Sequence, residues 1–231
     1  MPRKVNKPHN TENGTKLSTL VTNISGSLVG AMVGLVIGGP VGAAVGAASG
    51  PTTSFALEYL ARRQRRALQT LELAAQLQNE GTETFVAALL ASEDKVDLSA
   101  IILNMSASTN FDEKRAAYSQ LLSEIRQEGG NLEKYFTFSR ILDQLDPIHL
   151  AVLKYIDEHN PEGDNLSGRT PYEIILKFPD YESVLRSVVR VMELHGLLVD
   201  DARLKPLEHS GNVYWRTTEL GRALLGVVDN T

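Results

Sequence analysis

Along most of the chain apolar residues recur at helical spacing, but one long stretch departs from that pattern. From Leu17 to Leu57, 41 consecutive residues carry no charged side chain. Within it a glycine returns at every fourth position: Gly26, Gly30, Gly34, Gly38, Gly42, Gly46 and Gly50. Small residues four apart line one side of a helix and let another backbone come close, which is how glycine-zipper membrane helices pack. A glycine inside a helix costs about 1 kcal/mol relative to alanine, so seven at this spacing imply that close approach matters. The four-residue period exceeds 3.6, so the stripe drifts around the helix and favours right-handed crossings.

Within the stretch, Leu28–Ile37 is strongly apolar, whereas Val41–Ser49 is mostly alanine and glycine. A spanning helix needs about 20 apolar residues. The stretch therefore fits a single tilted span over residues 20–48 kinked at Pro40, or a hairpin turning at Gly38-Gly39-Pro40. Four basic residues precede it and four follow it, which favours a hairpin or an in-plane insertion with both ends on one side. The non-membrane alternatives are a buried glycine-rich hairpin in a soluble protein and a flexible linker. A secretory signal peptide fits poorly, because the apolar part is too long and glycine-rich and a cationic cluster follows it.

Beyond Thr53 the pattern becomes amphipathic. Phe55, Leu57, Leu60, Leu68, Leu71 and Ala75 predict one face of a helix running through Gln78, and Gly81 is expected to break it. Thr82–Ser92 starts another helix, and Asp94–Ala107 is ambiguous between helix and loop. Asn110 with Glu113 marks a further helix start, and Gly129-Gly130 its end. Asn131 caps the next helix, with Leu132, Tyr135, Phe136, Ile141, Leu142 and Leu145 as its packing face.

The carboxy-terminal third has the clearest punctuation. Asp146-Pro147 is an N-cap with proline at the first helical position, followed by Ile148, Ala151, Val152, Tyr155 and Ile156 on one face. Thr170-Pro171-Tyr172-Glu173 is a capping box opening a short helix that stops before Pro179. Asp180 is expected to cap a third helix, with Tyr181, Val184, Leu185, Val188, Val191 and Met192 inward and His195-Gly196 at its end. Leu197–Val199 and Val213–Thr217 predict two short strands, and Thr218–Leu225 a last helix. Three helices, a two-stranded wing and a terminal helix, with the phrases MELHGLL and TTELGRALL, resemble a winged helix-turn-helix over about residues 143–228. The expected fold is mainly α: a glycine-zipper helical hairpin, central helices and this winged-helix-like domain. The expected divisions are a disordered basic lead over 1–16, the zipper over 17–57, a helical domain over 58–130 and the winged-helix-like domain over 131–231.

Charge sharpens this picture. The net charge of −5 conceals +6 over residues 1–66 and −11 over residues 67–231. A basic, apolar front end on an acidic body suits an anionic membrane surface. Arg62, Arg63, Arg65 and Arg66, just past the apolar run, are the expected headgroup contacts, or else a solvated helix face. With no cysteine, the chain has no disulfide, thiolate metal site or thiol nucleophile. The five histidines lack metal spacing, no GxxxxGK[ST] or GxSxG occurs, and no carboxylate pair stands out. The reading is therefore of a non-enzyme without a cofactor or metal.

Tyr135–Ile156, YFTFSRILDQLDPIHLAVLKYI, with helices before it and a winged-helix-like tail after it, resembles the bacterial abortive-infection alpha family. The resemblance covers about residues 55–225 and implies an association with phage defence. It says nothing of the glycine zipper. Together these features lead to the expectation of a membrane-associated phage-defence effector or adaptor at the bacterial inner membrane, its body facing the cytoplasm. Lipid, further copies of itself and an unidentified protein are the expected partners. The alternative is a cytoplasmic DNA-binding regulator reading duplex through Arg186 and Arg190 on the third helix and Arg203 and Lys205 in the wing, with Arg216 on the return strand. Residues 139–231 hold ten basic and fifteen acidic side chains, which weighs against that alternative.

Overall fold

The computed structural model describes residues 28–37, 52–128, 132–158, 169–200 and 214–229. The fold is mainly α, with ten helices and a two-stranded antiparallel hairpin among these residues. The chain divides into two compact units, one of Met1–Ser108 with Ile125–Gln127 and the other of Thr109–Glu124 with Glu128–Thr231. The basic lead, the turn at Gly38-Gly39-Pro40, the stop at Gly129-Gly130, residues 159–168 and residues 201–213 lie outside the described residues.

In the first unit, α1 (Leu28–Ile37) lies against α2 (Thr52–Leu77), α3 (Thr82–Leu89) and α4 (Glu93–Ser108). Val29, Met32 and Val33 are buried in that packing. Their neighbours in the core are Ala67, Leu71, Ala74 and Ala75 of α2, Phe85, Val86 and Leu89 of α3, and Leu98, Ile102 and Leu103 of α4. Small alanines on α2 let α4 approach, and the two share a buried hydroxyl contact between Thr70 and Ser106. The ambiguous segment from Asp94 is thus helical, because Leu98, Ile102 and Leu103 recur at helical spacing against α2.

Gly81 does not end α2. Asn79 does, in the left-handed conformation at φ 54°, with the Glu80 amide donating back to the Ala75 carbonyl and the Asn79 amide to Gln76. Those two bonds satisfy carbonyls that the helix end leaves open, and asparagine tolerates this conformation better than most residues. Gly81 instead stands before α3 as its N-cap. Phe55, expected on the packing face of α2, is 75% exposed. At about 100° per residue it sits about 160° around the helix from Leu71, on the side opposite the buried stripe.

The second unit begins with α5 (Asp112–Gln127), whose last turn belongs to the first unit, and continues through α6 (Glu133–Gln144) and α7 (Pro147–Asp157). Phe111 rather than Asn110 holds the N-cap position of α5, and Leu132 rather than Asn131 that of α6. Phe136, expected inward on α6, is 38% exposed. The cap of α8 (Pro171–Lys177) follows expectation: Thr170 Oγ1 accepts from the Glu173 amide at 3.2 Å, and Glu173 Oε2 accepts from the Thr170 amide at 2.9 Å.

Asp180 caps no α-helix. Pro179–Tyr181 forms a 3₁₀ turn, and α9 (Leu185–Leu194) starts only after it, so Tyr181 and Val184 are exposed rather than inward. Pro179 takes the first position of that turn, where a missing amide leaves no bond unmade. At its other end α9 stops as expected. Gly196 takes φ +70°, the Leu197 amide donates to the Met192 carbonyl and the Gly196 amide to Glu193.

Strand β1 (Leu198–Asp200) then pairs with β2 (Trp215–Thr217), Leu198 opposite Thr217 and Asp200 opposite Trp215. A single bridge adds Arg169 to the other edge of β2, through two bonds with Trp215 of 3.0 Å each. Helix α10 (Glu219–Asp229) closes the unit, packing with α7 and β2 over Leu224, Leu225 and Val227.

Candidate functional site

Of the seven zipper glycines, Gly30 and Gly34 lie in the described residues; Gly26, Gly38, Gly42, Gly46 and Gly50 lie outside them. Gly30 is buried. Gly34 is exposed, and a Cβ added there would meet nothing within 4 Å. Packing among the described residues therefore does not require glycine at position 34. All ten residues of α1 are apolar or glycine. Ten residues extend about 15 Å, half the thickness of a bilayer's hydrocarbon core, and among the described residues no helix is long and apolar enough to cross a membrane.

The four arginines past the apolar run have different surroundings. Arg63 turns towards α4, donating to Asn104 Oδ1 at 2.5 Å and Ser108 Oγ at 3.2 Å. Arg66 reaches the Ala107 carbonyl at 3.5 Å. Arg62 points outward with a loose 3.9 Å approach to Glu58, and Arg65 is exposed. Beside them Phe55 and Tyr59 are 75% and 50% exposed, and Tyr59 lies under the Arg63 guanidinium. Sequence periodicity alone placed Phe55 in a core. The spacing of Phe55, Tyr59 and Arg62, four and then three residues apart, is the signal that groups them on one outward face.

In the second unit, Arg186 and Arg190 project from the exposed side of α9, one turn apart. Arg190 Nη1 lies 3.4 Å from Glu193 Oε2. Arg216 is half-buried on β2, while Arg203 and Lys205 lie outside the described residues. The structure thus brings together two of the five basic residues expected at a nucleic-acid face.

A polar cluster that periodicity does not reveal lies between α5, α6 and α7. Lys114 is buried and donates to the Asp143 carbonyl at 2.9 Å, capping the end of α6. Burial lowers the Lys114 pKa, opposed by the carboxylates of Asp143 and Asp146. Tyr118, one turn on, is fully buried, and burial together with Asp143 raises its hydroxyl's pKa. His149 Nδ1 accepts the Asp146 amide at 3.0 Å. Through these bonds the cluster ties α5 to the end of α6 and fixes the start of α7.

A groove of about 600 Å³ runs between α5, α7 and α10. Leu150, Ala151 and Leu225 form apolar wall, while Asp112, Glu113 and Lys154 bring charges of both signs that select no ligand class. Among the described residues no group of three His, Asp or Glu could hold a metal ion. No family model, curated protein or solved structure matches the chain.

Proposed function

We propose that this protein is a bacterial membrane-associated effector or adaptor, of the kind that acts in abortive infection. In this reading its glycine zipper inserts and self-associates in the inner membrane while the acidic body stays in the cytoplasm. One observation carries the reading: α1 has no polar residue on any side, yet Gly34 faces outward with open space around it. A helix on a water-exposed surface places polar residues outward, whereas one that is apolar all round is destined for a protein core or for lipid. An exposed glycine that packing among the described residues does not need is available to face a second helix. The packing of Val29, Met32 and Val33 against α2–α4 then represents a form in which the apolar helix is sheltered from water.

The test is flotation of the full-length protein with vesicles, combined with crosslinking of Gly34→Leu and Gly42→Leu. Both variants are expected to float as well as the parent and to lose crosslinked oligomers, because leucine keeps insertion favourable and holds the partner backbone away. A full-length protein that stays at the bottom of the gradient overturns the membrane reading.

A second reading rests on the carboxy-terminal unit. The order α7, Arg169 bridge, α8, α9, β1, β2, α10 supports a winged-helix reading, in which the exposed Arg186 and Arg190 of α9 would face duplex DNA. The acidic balance of this unit and the hold of Glu193 on Arg190 weaken it. Salt-sensitive duplex binding lost in Arg186→Ala/Arg190→Ala would establish it; indifference to that double change leaves the domain as a protein-contact module.

A further inference from the structure

We infer that the outward face of the amino-terminal half of α2 is a docking surface for anionic lipid, with Phe55 and Tyr59 as interfacial anchors and Arg62 and Arg65 as headgroup contacts. The inference rests on the membrane reading above and assigns it a specific surface.

Four observations converge on it. Phe55 is 75% exposed and Tyr59 50% exposed, which is unusual for two large aromatic side chains one turn apart on a helix. Arg62, three residues beyond Tyr59, lies on the same side, its side chain 57% exposed, and Arg65 is exposed as well. At about 100° per residue, Phe55, Tyr59, Arg62 and Arg65 all lie within an arc centred opposite Leu71, the middle of the buried stripe. Finally, the charge-free run from Leu17 passes without a break into this helix, Phe55 being its third residue from the end.

Aromatic rings beside arginines suit the boundary of a bilayer, where the ring sits at headgroup level and the guanidinium meets phosphate. Glu58 is the sole acidic residue between Lys16 and Arg66, so the face is cationic and complements an anionic surface. The structure also separates the four arginines by role. Arg63 and Arg66 bond to α4 and hold the helix pair together, which leaves Arg62 and Arg65 for the lipid.

The experiment compares full-length protein on two vesicle types: phosphatidylcholine alone, and phosphatidylcholine with about a third phosphatidylglycerol. Arg62→Ala/Arg65→Ala is expected to remove most of the preference for the anionic vesicles, about 30-fold at low salt, and the parent's preference should shrink as salt rises. Phe55→Ser/Tyr59→Ser is expected to weaken binding to both vesicle types. Leu73→Ser/Leu77→Ser, exposed positions five turns and about 27 Å further along the same helix, beyond the proposed surface, should change neither. Circular dichroism checks that each variant stays folded. If the parent binds anionic vesicles and both the arginine and the aromatic variants bind identically, the surface is wrong while the membrane reading stands. If the parent binds no vesicle, both fall. Loss of vesicle binding on adding duplex or single-stranded DNA, with retention of the protein on that DNA through Arg62 and Arg65, would reassign the face to nucleic acid and overturn the inference.

Discussion

Trp215 Nε1 donates a 3.1 Å hydrogen bond to Glu193 Oε1, tying the hairpin to the last turn of α9. The other oxygen of that carboxylate receives Arg190 at 3.4 Å. One acidic side chain thus fixes the strand and holds an arginine of the exposed face. Trp215 is the only tryptophan in the chain, so its emission reports on this contact alone. Glu193→Ala is expected to shift that emission to the red and to cost about 1–2 kcal/mol, the range for a partly exposed bond to a charged group. Urea unfolding followed by tryptophan fluorescence checks both. An unchanged spectrum and midpoint would show that the indole does not depend on Glu193.

Gly221 and Gly226 sit on the same helix and make opposite demands. A Cβ at Gly221 would come within 2.5 Å of the Leu197 carbonyl oxygen and 2.7 Å of Thr217 Cγ2, because α10 crosses the hairpin closely there. Neither a backbone carbonyl nor a buried threonine methyl moves aside cheaply. Gly221→Ala should therefore destabilise the protein by about 1–3 kcal/mol. At Gly226 an added Cβ meets nothing within 4 Å, so Gly226→Ala should stabilise it by up to about 1 kcal/mol. Thermal melts of the two variants decide the matter, and a shift of the same sign in both would contradict the packing.

What was legible in the sequence was local chemistry. The capping box of Thr170 and Glu173, the Asp146-Pro147 start and the Gly196 stop depend on residues within a few positions of one another, and the structure has all three. The mainly helical fold and the small hairpin followed from the same kind of signal. Readings that depended on carrying a period across a junction went astray. Phe55 lies off the buried stripe because it is about 160° around α2 from Leu71, and Tyr181 and Val184 lost their place when Pro179 began a 3₁₀ turn instead of α9. The burial of Lys114 was not legible at all, since it depends on where α5 meets the end of α6. Arg63 and Arg66 looked like Arg62 and Arg65 in sequence, and only the position of α4 separates them.

His149 gives the second unit a defined response to acid. Its Nδ1 accepts the Asp146 amide at 3.0 Å, so that nitrogen carries no proton and the ring is neutral. Histidine here fills the third helical position, where a capping box normally carries Glu or Gln. Burial holds its pKa below the ordinary histidine value. The Asp146 carboxylate opposes that shift, while His195 at the C-cap of α9 and Lys114 from α5 reinforce it. The sign follows directly. As pH falls through the ordinary value of about 6.5, the unfolded chain takes up a proton that the folded chain resists. Stability is complete above that value, declines as pH drops towards the lower folded pKa, and levels off below it. Urea midpoints taken from about pH 7.5 down to about pH 5 should therefore fall. In His149→Gln the carboxamide oxygen can accept the same amide without titrating, so part of that fall should disappear while stability at neutral pH stays within about 1 kcal/mol. His149→Ala should instead lose the cap at every pH. Proton NMR of the His149 ring gives the direct reading: titration at or above the ordinary value, or an identical pH slope in His149→Gln, would mean that the Asp146 amide is not held by a neutral imidazole.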